Sequence, residues 1–357
     1  MGSIVREVFA LKIAVLMGGT STERDVSLSS GTAVATALRS SGHSVSEIDT
    51  ALTLEYPEKS FFGKDGANET SVGVARKPPT LSELKEMEGK LRGHVFAPGI
   101  LEACRMADIA FIALHGGFGE DGRIQAALEM AAIPHTGTSY LGCALAFNKD
   151  VSKRVMRSSG IATPEWREVR DTETKVSEIE VPFGFPRIVK PAKGGSTLGV
   201  SLVENESEFE DVVRETLEYG EVVLIEEFIE GREFTVGVLG EDALPVIEIQ
   251  TSGKVFDYES KYQPGEAKEI CPAPIPDDLA EKLQKLALAT HESLKVGRDA
   301  YSRVDFRVSA GGEPFCLEAN VLPGMTPNSL LPLAASTAGI PFPELCERIS
   351  GMVAPRG

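Results

Sequence analysis

Early in the chain a short apolar run is followed by a glycine-rich loop and a helix-patterned stretch, and the same plan then recurs. LKIAVLM, from Leu11 to Met17, leads into GGTSTERDVS and then SLSSGTAVATALRSSG, with small and apolar residues at helical spacing up to Gly42. MADIAFIALHGGFGEDGRIQAALEMAAIPHTG follows the same order, with its helix from about Gly122 to Ala132. Strand–loop–helix units of this kind imply a parallel sheet whose loops, at the strand C-termini, form a ligand crevice. His115 and Glu23 would then look into one crevice, although a satisfied loop histidine and a first-turn carboxylate are equally good readings. Neither loop is a dinucleotide fingerprint, because GxGxxG is missing from the first strand–helix turn. The first domain is expected over residues 1–137. Residues 55–100 read as an insertion of loops and one helix, TLSELKEMEGKL, with Leu81, Leu84 and Leu91 on one face.

Beyond Tyr140 the pattern changes to α+β. A helix carries Lys149 and Lys153, and PRIVKP is a strand followed by the loop AKGGSTLG and the strand GVSLV. An acidic helix NESEFEDVVRETLEYG comes next, then the buried strand VVLIEEFI and a hairpin of EGREFTVGVLG with ALPVIEIQ. Residues 252–274 are polar and rich in turn residues, and a loop of that length usually has a job, often as a lid. Gly194, Gly195, Gly199, Ser196 and Thr197 offer N–H groups and hydroxyls that suit phosphate oxygens, although the loop taken alone reads more readily as a plain hairpin turn. It is not a Walker loop, since GxxxxGK[ST] is absent. Lys190 and Lys149 nearby supply the point charges a phosphate needs.

The segment Ser302–Met325 reads as a second hairpin. Val304, Phe306 and Val308 alternate against Phe315, Leu317, Ala319 and Val321, and Gly311-Gly312 suits a two-residue primed turn. If Ala310 faces Glu313, Asp305 lies opposite Glu318 and Arg303 opposite Asn320 on the polar face. A solvated face and a cation site both fit, but opposed carboxylates repel unless a cation separates them, and oxygen-only donors suit Mg²⁺.

At 357 residues the chain has room for two or three domains. Its net charge of −17 argues against non-specific nucleic-acid binding, and no apolar stretch approaches the ~18 residues of a membrane span. With no credible signal peptide, a cytoplasmic location is expected. Cys104, Cys143, Cys271, Cys316 and Cys346 lack CxxC spacing and read as reduced thiols.

In order along the chain, GGTSTERDVSLSSG, FIALHGGFGEDG, VKPAKGGSTLGVS, VLIEEFIEGREFTV, FDYESKY, RVDFRV and LEANVLPGMTPNSL resemble the D-alanine:D-alanine ligase family of the ATP-grasp superfamily. The resemblance spans nearly everything outside residues 55–100. It implies an α/β and α+β chain, with an N-terminal Rossmann-like parallel-sheet domain followed by a two-lobed ATP-grasp fold. The lobes would cover residues 138–230 and 231–357, with a lid at about 251–270. It also implies ATP as co-substrate, two Mg²⁺ ions with Mn²⁺ as a substitute, and a homodimer.

By the same resemblance the metal ligands are Asp305, Glu318 and Asn320, and Lys149, Lys190 and Lys261 hold the phosphates. Glu226, Glu227, Phe228, Ile229 and Glu233 meet adenine and ribose. Glu23 receives the ammonium of the first D-alanine, while Ser196 and Tyr262 link that site to the lid and His115 lies beside the substrate. Arg303 and the Gly324 N–H are the oxyanion donors, and Ser329 with Leu330 receive the second carboxylate. Asp25 and Asn328 depart from the family pattern, where glutamate and histidine are commoner. No residue stands out as general base for the attacking amine. Rival readings are a D-alanine:D-lactate or D-alanine:D-serine ligase and a non-catalytic ATP-binding regulator; by the resemblance Tyr262 speaks for D-alanine, since the lactate-forming relatives usually lack tyrosine there.

Overall fold

The structure, a computed structural model, describes residues 10–54, 62, 79–170, 176, 179–194, 199–251 and 267–353. Strands β1 (Lys12–Met17), β2 (Ser44–Asp49) and β3 (Ile109–Ile112) form a parallel sheet in the order β2-β1-β3, as the strand–loop–helix units imply. Helix α1 (Arg24–Ser40) starts ahead of the expected Ser27, because Arg24 N donates to Ser21 O at 3.1 Å and closes a turn sooner. In the insertion, α2 (Leu81–Leu91) forms as expected, held by a Thr80–Glu83 capping box, with Leu84 and Leu91 buried. Helices α3 (Ile100–Arg105), α4 (Gly117–Glu120) and α5 (Arg123–Met130) complete this part.

The helix expected around Lys149 is in fact two, α6 (Tyr140–Phe147) and α7 (Lys149–Ser158). Asn148 between them is extended, at φ −89° and ψ 101°, and its side chain caps Val151 N, which places Lys149 in the first turn of α7. Strands β4 (Trp166–Val169), β5 (Arg187–Pro191), β6 (Ser201–Val203) and β7 (Val223–Glu227) make an antiparallel sheet, β4-β7-β5-β6, with α8 (Glu206–Leu217) packed against it. A further antiparallel sheet joins β8 (Gly231–Leu239), β9 (Asp242–Ala243), β10 (Ile247–Thr251), β11 (Ala267–Ile270), β12 (Tyr301–Ser309) and β13 (Pro314–Asn320). Its order is β11-β10-β8-β12-β13, with β9 on β8, and α9 (Asp277–Ser293) lies against it. β11 corrects the reading of 252–274 as one long loop, since Ala267–Ile270 pairs with β10. The rest of the expected lid, residues 252–266, lies outside the described residues.

The Ser302–Met325 hairpin has the expected pairings Asp305↔Glu318 and Arg303↔Asn320, but not the expected turn. Ser309 faces Glu313, with Ser309 N donating to Glu313 O at 2.9 Å, so the loop holds the three residues Ala310–Gly312 and ends on Gly312 at φ 83°. A bulge at Leu317 follows, since Phe306 pairs with Cys316 while Asp305 pairs with Glu318. The extra turn residue and the bulge cancel. Cys316, rather than Leu317, therefore joins the apolar face.

Helices α10 (Leu330–Thr337) and α11 (Phe342–Val353) return from the chain end to the first sheet and share its core, where Leu345, Cys346 and Ile349 pack in the same cluster as Leu16, Leu38 and Ile109. His43 joins the two: its Nδ1 accepts from Leu11 N at 3.0 Å, and its Nε2 lies 2.5 Å from Glu347 Oε1. Leu345 is 0% exposed. Leu345→Ala is expected to cost about 2–5 kcal/mol of stability, read as a lowered urea midpoint; an unchanged midpoint would show that α11 does not hold the first sheet.

Candidate active site

Three loops meet at the C-terminal edge of the parallel sheet. Gly18 N donates to Ser27 Oγ (2.9 Å), which in turn donates to Ala113 O (2.8 Å), so the turns after β1 and β3 are fastened together. Ser21 Oγ donates to His115 O. Glu23 is buried against Gly116, where φ is +66° and an added Cβ would stand 2.8 Å from Glu23 Oε2; only glycine fits there.

His115 is a strut. Its Nδ1 lies 3.0 Å from Leu322 O and so carries the proton, while Nε2 accepts from Ser30 Oγ at 3.0 Å; Ser30 Oγ itself accepts from Met325 N at 3.3 Å. Burial pulls its pKa down to about 4, against the pull of the Leu322 bond, so the ring is neutral. Both nitrogens are occupied within the protein, which is the satisfied-histidine reading. The ring ties the β3 loop to the 321–325 segment.

Glu120 was not singled out from the sequence. It is buried, and burial together with the charge of Glu23 raises its pKa to about 8. It lines one small cavity with Lys149, Gly194, Glu318 and Asn320, and so connects the Glu23 crevice to the hairpin. Its motif, HGGFGEDG, was visible; its burial was not.

On the hairpin, Arg303, Asp305 and Arg307 alternate along β12 beside Glu233, Thr235 and Gly237 of β8. Arg303 grips Asp305 with two bonds, Nε–Oδ1 and Nη2–Oδ2, each 2.9 Å, and Thr235 Oγ1 donates to Oδ1 at 2.6 Å. Opposite, Glu318 Oε2 lies 2.8 Å from Lys149 Nζ, while Asn320 Oδ1 accepts from Leu322 N at 3.0 Å. The opposed carboxylates are thus each held by a cationic side chain. Burial works against the Lys149 ammonium, but Glu318 outweighs it and holds its pKa above the usual value. Among the described residues no group of three or more His, Cys, Asp or Glu could hold a metal. Asp305, Glu318 and Asn320 together offer two carboxylates and an amide oxygen, hard donors of the kind that could hold a Mg²⁺ sharing its coordination with substrate phosphates.

Lys149 also stitches α7 to the loop after β5: its N donates to Ala192 O (2.8 Å) and its Nζ to Gly194 O (2.9 Å). Lys190 Nζ sits 3.1 and 3.0 Å from the two oxygens of Glu226. Glu227 N donates to Glu165 O at 2.8 Å. Arg307, another residue not picked out from the sequence, lies 4.8 Å from the Phe228 ring centre, donates to Ile229 O at 3.0 Å and reaches Glu233 at 3.4 Å. It clamps the strand end that joins the two antiparallel sheets.

Past the hairpin, Gly324 packs on Ser329, where an added Cβ would stand 2.9 Å from Ser329 Oγ. That hydroxyl accepts from Thr326 N (3.2 Å) and lies 2.8 Å from Thr326 Oγ1. Ser329 is the N-cap of α10 and Leu330 its first, buried residue. Ser196, Lys261 and Tyr262 lie outside the described residues.

A small parallel sheet joined to two antiparallel sheets, with Lys149 of α7 on the carboxylate hairpin of one and Lys190 on a strand of the other, defines an ATP-grasp ligase. Residues 12–138 match the family model for the D-ala D-ala ligase N-terminus and residues 155–350 that for the C-terminus. The chain belongs to the D-ala D-ala ligase family, a family of ATP-dependent ligases. A D-alanine–D-alanine ligase of Syntrophotalea carbinolica is 39% identical, covering 96% of each chain. One from Pediococcus pentosaceus is 37% identical over 95% of this chain and 96% of its own. Among solved structures, the Bacillus anthracis D-alanine–D-alanine ligase complexed with ATP superposes with a TM-score of 0.72 at 29% identity, covering 96% of this chain and 97% of that one. The VanG D-Ala:D-Ser ligase of Enterococcus faecalis superposes at 0.73 with 26% identity, covering 96% and 99%.

Proposed function

We propose that this protein joins two D-alanine molecules into D-alanyl-D-alanine, cleaving ATP to ADP and phosphate, for peptidoglycan precursor synthesis. The observation that carries it is the bulged hairpin, which puts Arg303, Asp305, Glu318 and Asn320 on one face, with Glu318 2.8 Å from Lys149. A first D-alanine anchors its ammonium at Glu23, and one of its carboxylate oxygens attacks the γ-phosphorus as the β–γ bridging oxygen leaves with ADP. Lys149, Lys190 and Lys261 offset the phosphate charge, while Glu226, Glu227, Phe228, Ile229 and Glu233 seat adenine and ribose. Two Mg²⁺ ions, or Mn²⁺, would be held by Asp305, Glu318 and Asn320, and when bound they neutralise phosphoryl oxygens.

The acyl phosphate hydrolyses in open water, so the part of the expected lid that runs between β10 and β11, coupled to Glu23 through Ser196 and Tyr262, excludes solvent. The second amine then attacks the acyl carbon. Arg303 and the Gly324 N–H hold the oxyanion, Ser329 and Leu330 the incoming carboxylate, and the C–O bond to phosphate breaks. His115, with both nitrogens occupied, keeps the crevice and the 321–325 segment in register beside the first substrate. The working unit divides into 1–137, 138–230 and 231–357, assembles as a homodimer and acts in the cytoplasm; among the described residues no helix is long and apolar enough to cross a membrane.

The test incubates enzyme and Mg-ATP with D-alanine alone, D-alanine plus D-serine, or D-alanine plus D-lactate, following phosphate release and product mass. D-Alanine alone is expected to yield ADP and the dipeptide. A mixed product with D-lactate or D-serine, and none with D-alanine alone, would replace the second substrate. Nucleotide binding without turnover would leave a regulator.

A further inference from the structure

Behind the Lys190–Glu226 pair lies a second lysine that the mechanism does not use. Lys153, on α7, is 0% exposed. Its Nζ is 2.7 Å from Glu226 Oε2, 2.8 Å from Thr163 Oγ1 and 3.3 Å from Pro164 O, and it lies 5.3 Å from the Trp166 ring centre. Glu226, 2% exposed, is therefore held between two ammonium groups. A buried lysine is costly unless its partners are in place, and here one carboxylate serves both cations.

We infer that Lys153 is a positioning residue for nucleotide binding: it fixes the Glu226 carboxylate from behind, so that the cluster keeps one surplus positive charge, at Lys190, for an anionic nucleotide. Without Lys153, Glu226 and Lys190, already 3.1 and 3.0 Å apart, form a neutral pair that leaves no net positive charge for the nucleotide. Burial opposes the Glu226 charge, but Lys153 and then Lys190 outweigh it and hold its pKa below the usual value. Burial lowers the Lys153 pKa to about 8, with Glu226 opposing and Lys190 assisting the shift. Among the described residues, the charged or titratable groups that act on it are Glu226 from β7, Lys190 from β5 and Cys316 from β13. The inference rests on the reading that ATP lies against Lys190 and Glu226.

Trp166 is the chain's one tryptophan, and it pairs with Glu226 across β4 and β7. Its emission therefore reports nucleotide binding without turnover. ADP titrations of the wild type and of Lys153→Met are expected to show affinity about tenfold weaker in the variant, with KM for ATP rising in parallel and kcat at saturating ATP changing less than about threefold. Wild-type affinity is expected to fall as pH rises through about 8, and that step should be missing from the variant. A merely structural lysine would shift the melting temperature and leave the pH step in place. Lys153→Gln, which keeps a hydrogen-bonding amide, gives the same readout if the Met variant fails to fold. ADP binding that is equal in the wild type and the folded variant overturns the inference alone. No ADP binding by the wild type overturns the nucleotide reading as well.

Discussion

Glu318→Gln is expected to lower kcat by about 10³-fold, because a ligated cation supplies several kcal/mol of transition-state stabilisation and each 1.4 kcal/mol is a factor of ten. The protein should stay folded. The substitution keeps the side chain's shape, loses the 2.8 Å ion pair to Lys149 and relieves the repulsion from Asp305 directly opposite, so the two changes in stability oppose each other. The measurements are phosphate release at saturating ATP and D-alanine, alongside a thermal melt. A folded variant with wild-type turnover would mean that the hairpin face is an internally paired charge cluster and not a cation site.

Arg303→Met has the second largest expected effect, a loss of about 10²–10³ in kcat, the usual result of deleting one oxyanion donor. The structure adds a second consequence. Arg303 supplies two of the bonds that fix Asp305, and removing it leaves that buried carboxylate with Thr235 and, among the described residues, no cationic partner, so a fall in melting temperature accompanies the loss of rate. Arg303→Lys separates the two effects. It keeps the charge beside Asp305 but not the planar two-pronged grip, and should recover more stability than activity. Wild-type kcat in the lysine variant would show that a point charge suffices and that no fixed donor acts on the reacting carbonyl.

The parallel sheet was legible because strand, glycine loop and helix follow each other with their own periodicities, and no partner outside each unit is needed to see them. The hairpin pairing was legible for a less direct reason. A two-residue turn would give Asp305 opposite Glu318, and so does a three-residue loop followed by a bulge at Leu317, because the added residues fall on opposite strands and cancel. The alternation of Phe315 and Leu317 favoured the simpler turn; packing of Cys316 against the Phe306 side of the sheet favoured the bulge. β4 was missed because WREV is short and half-polar, and becomes a strand only by pairing with β7 at the sheet edge.

Lys153, Glu120 and Arg307 were each in view as letters. Nothing local sets Lys153 apart from Lys149 one turn earlier on the same helix: one reaches Glu318, the other points into the interior at Glu226. Glu120 becomes a raised-pKa group only when the β3 loop folds over Glu23.

The chain by itself determined which residues could bear charge and oxygen toward a phosphate, and the local periods that make strands and helices, because both are properties of neighbouring residues. The tertiary structure decided which charges face each other, which are buried and which cancel. Those depend on distances between segments far apart in sequence, as between Lys149 and Glu318 or His115 and Leu322, and on the loss of water that makes such distances count.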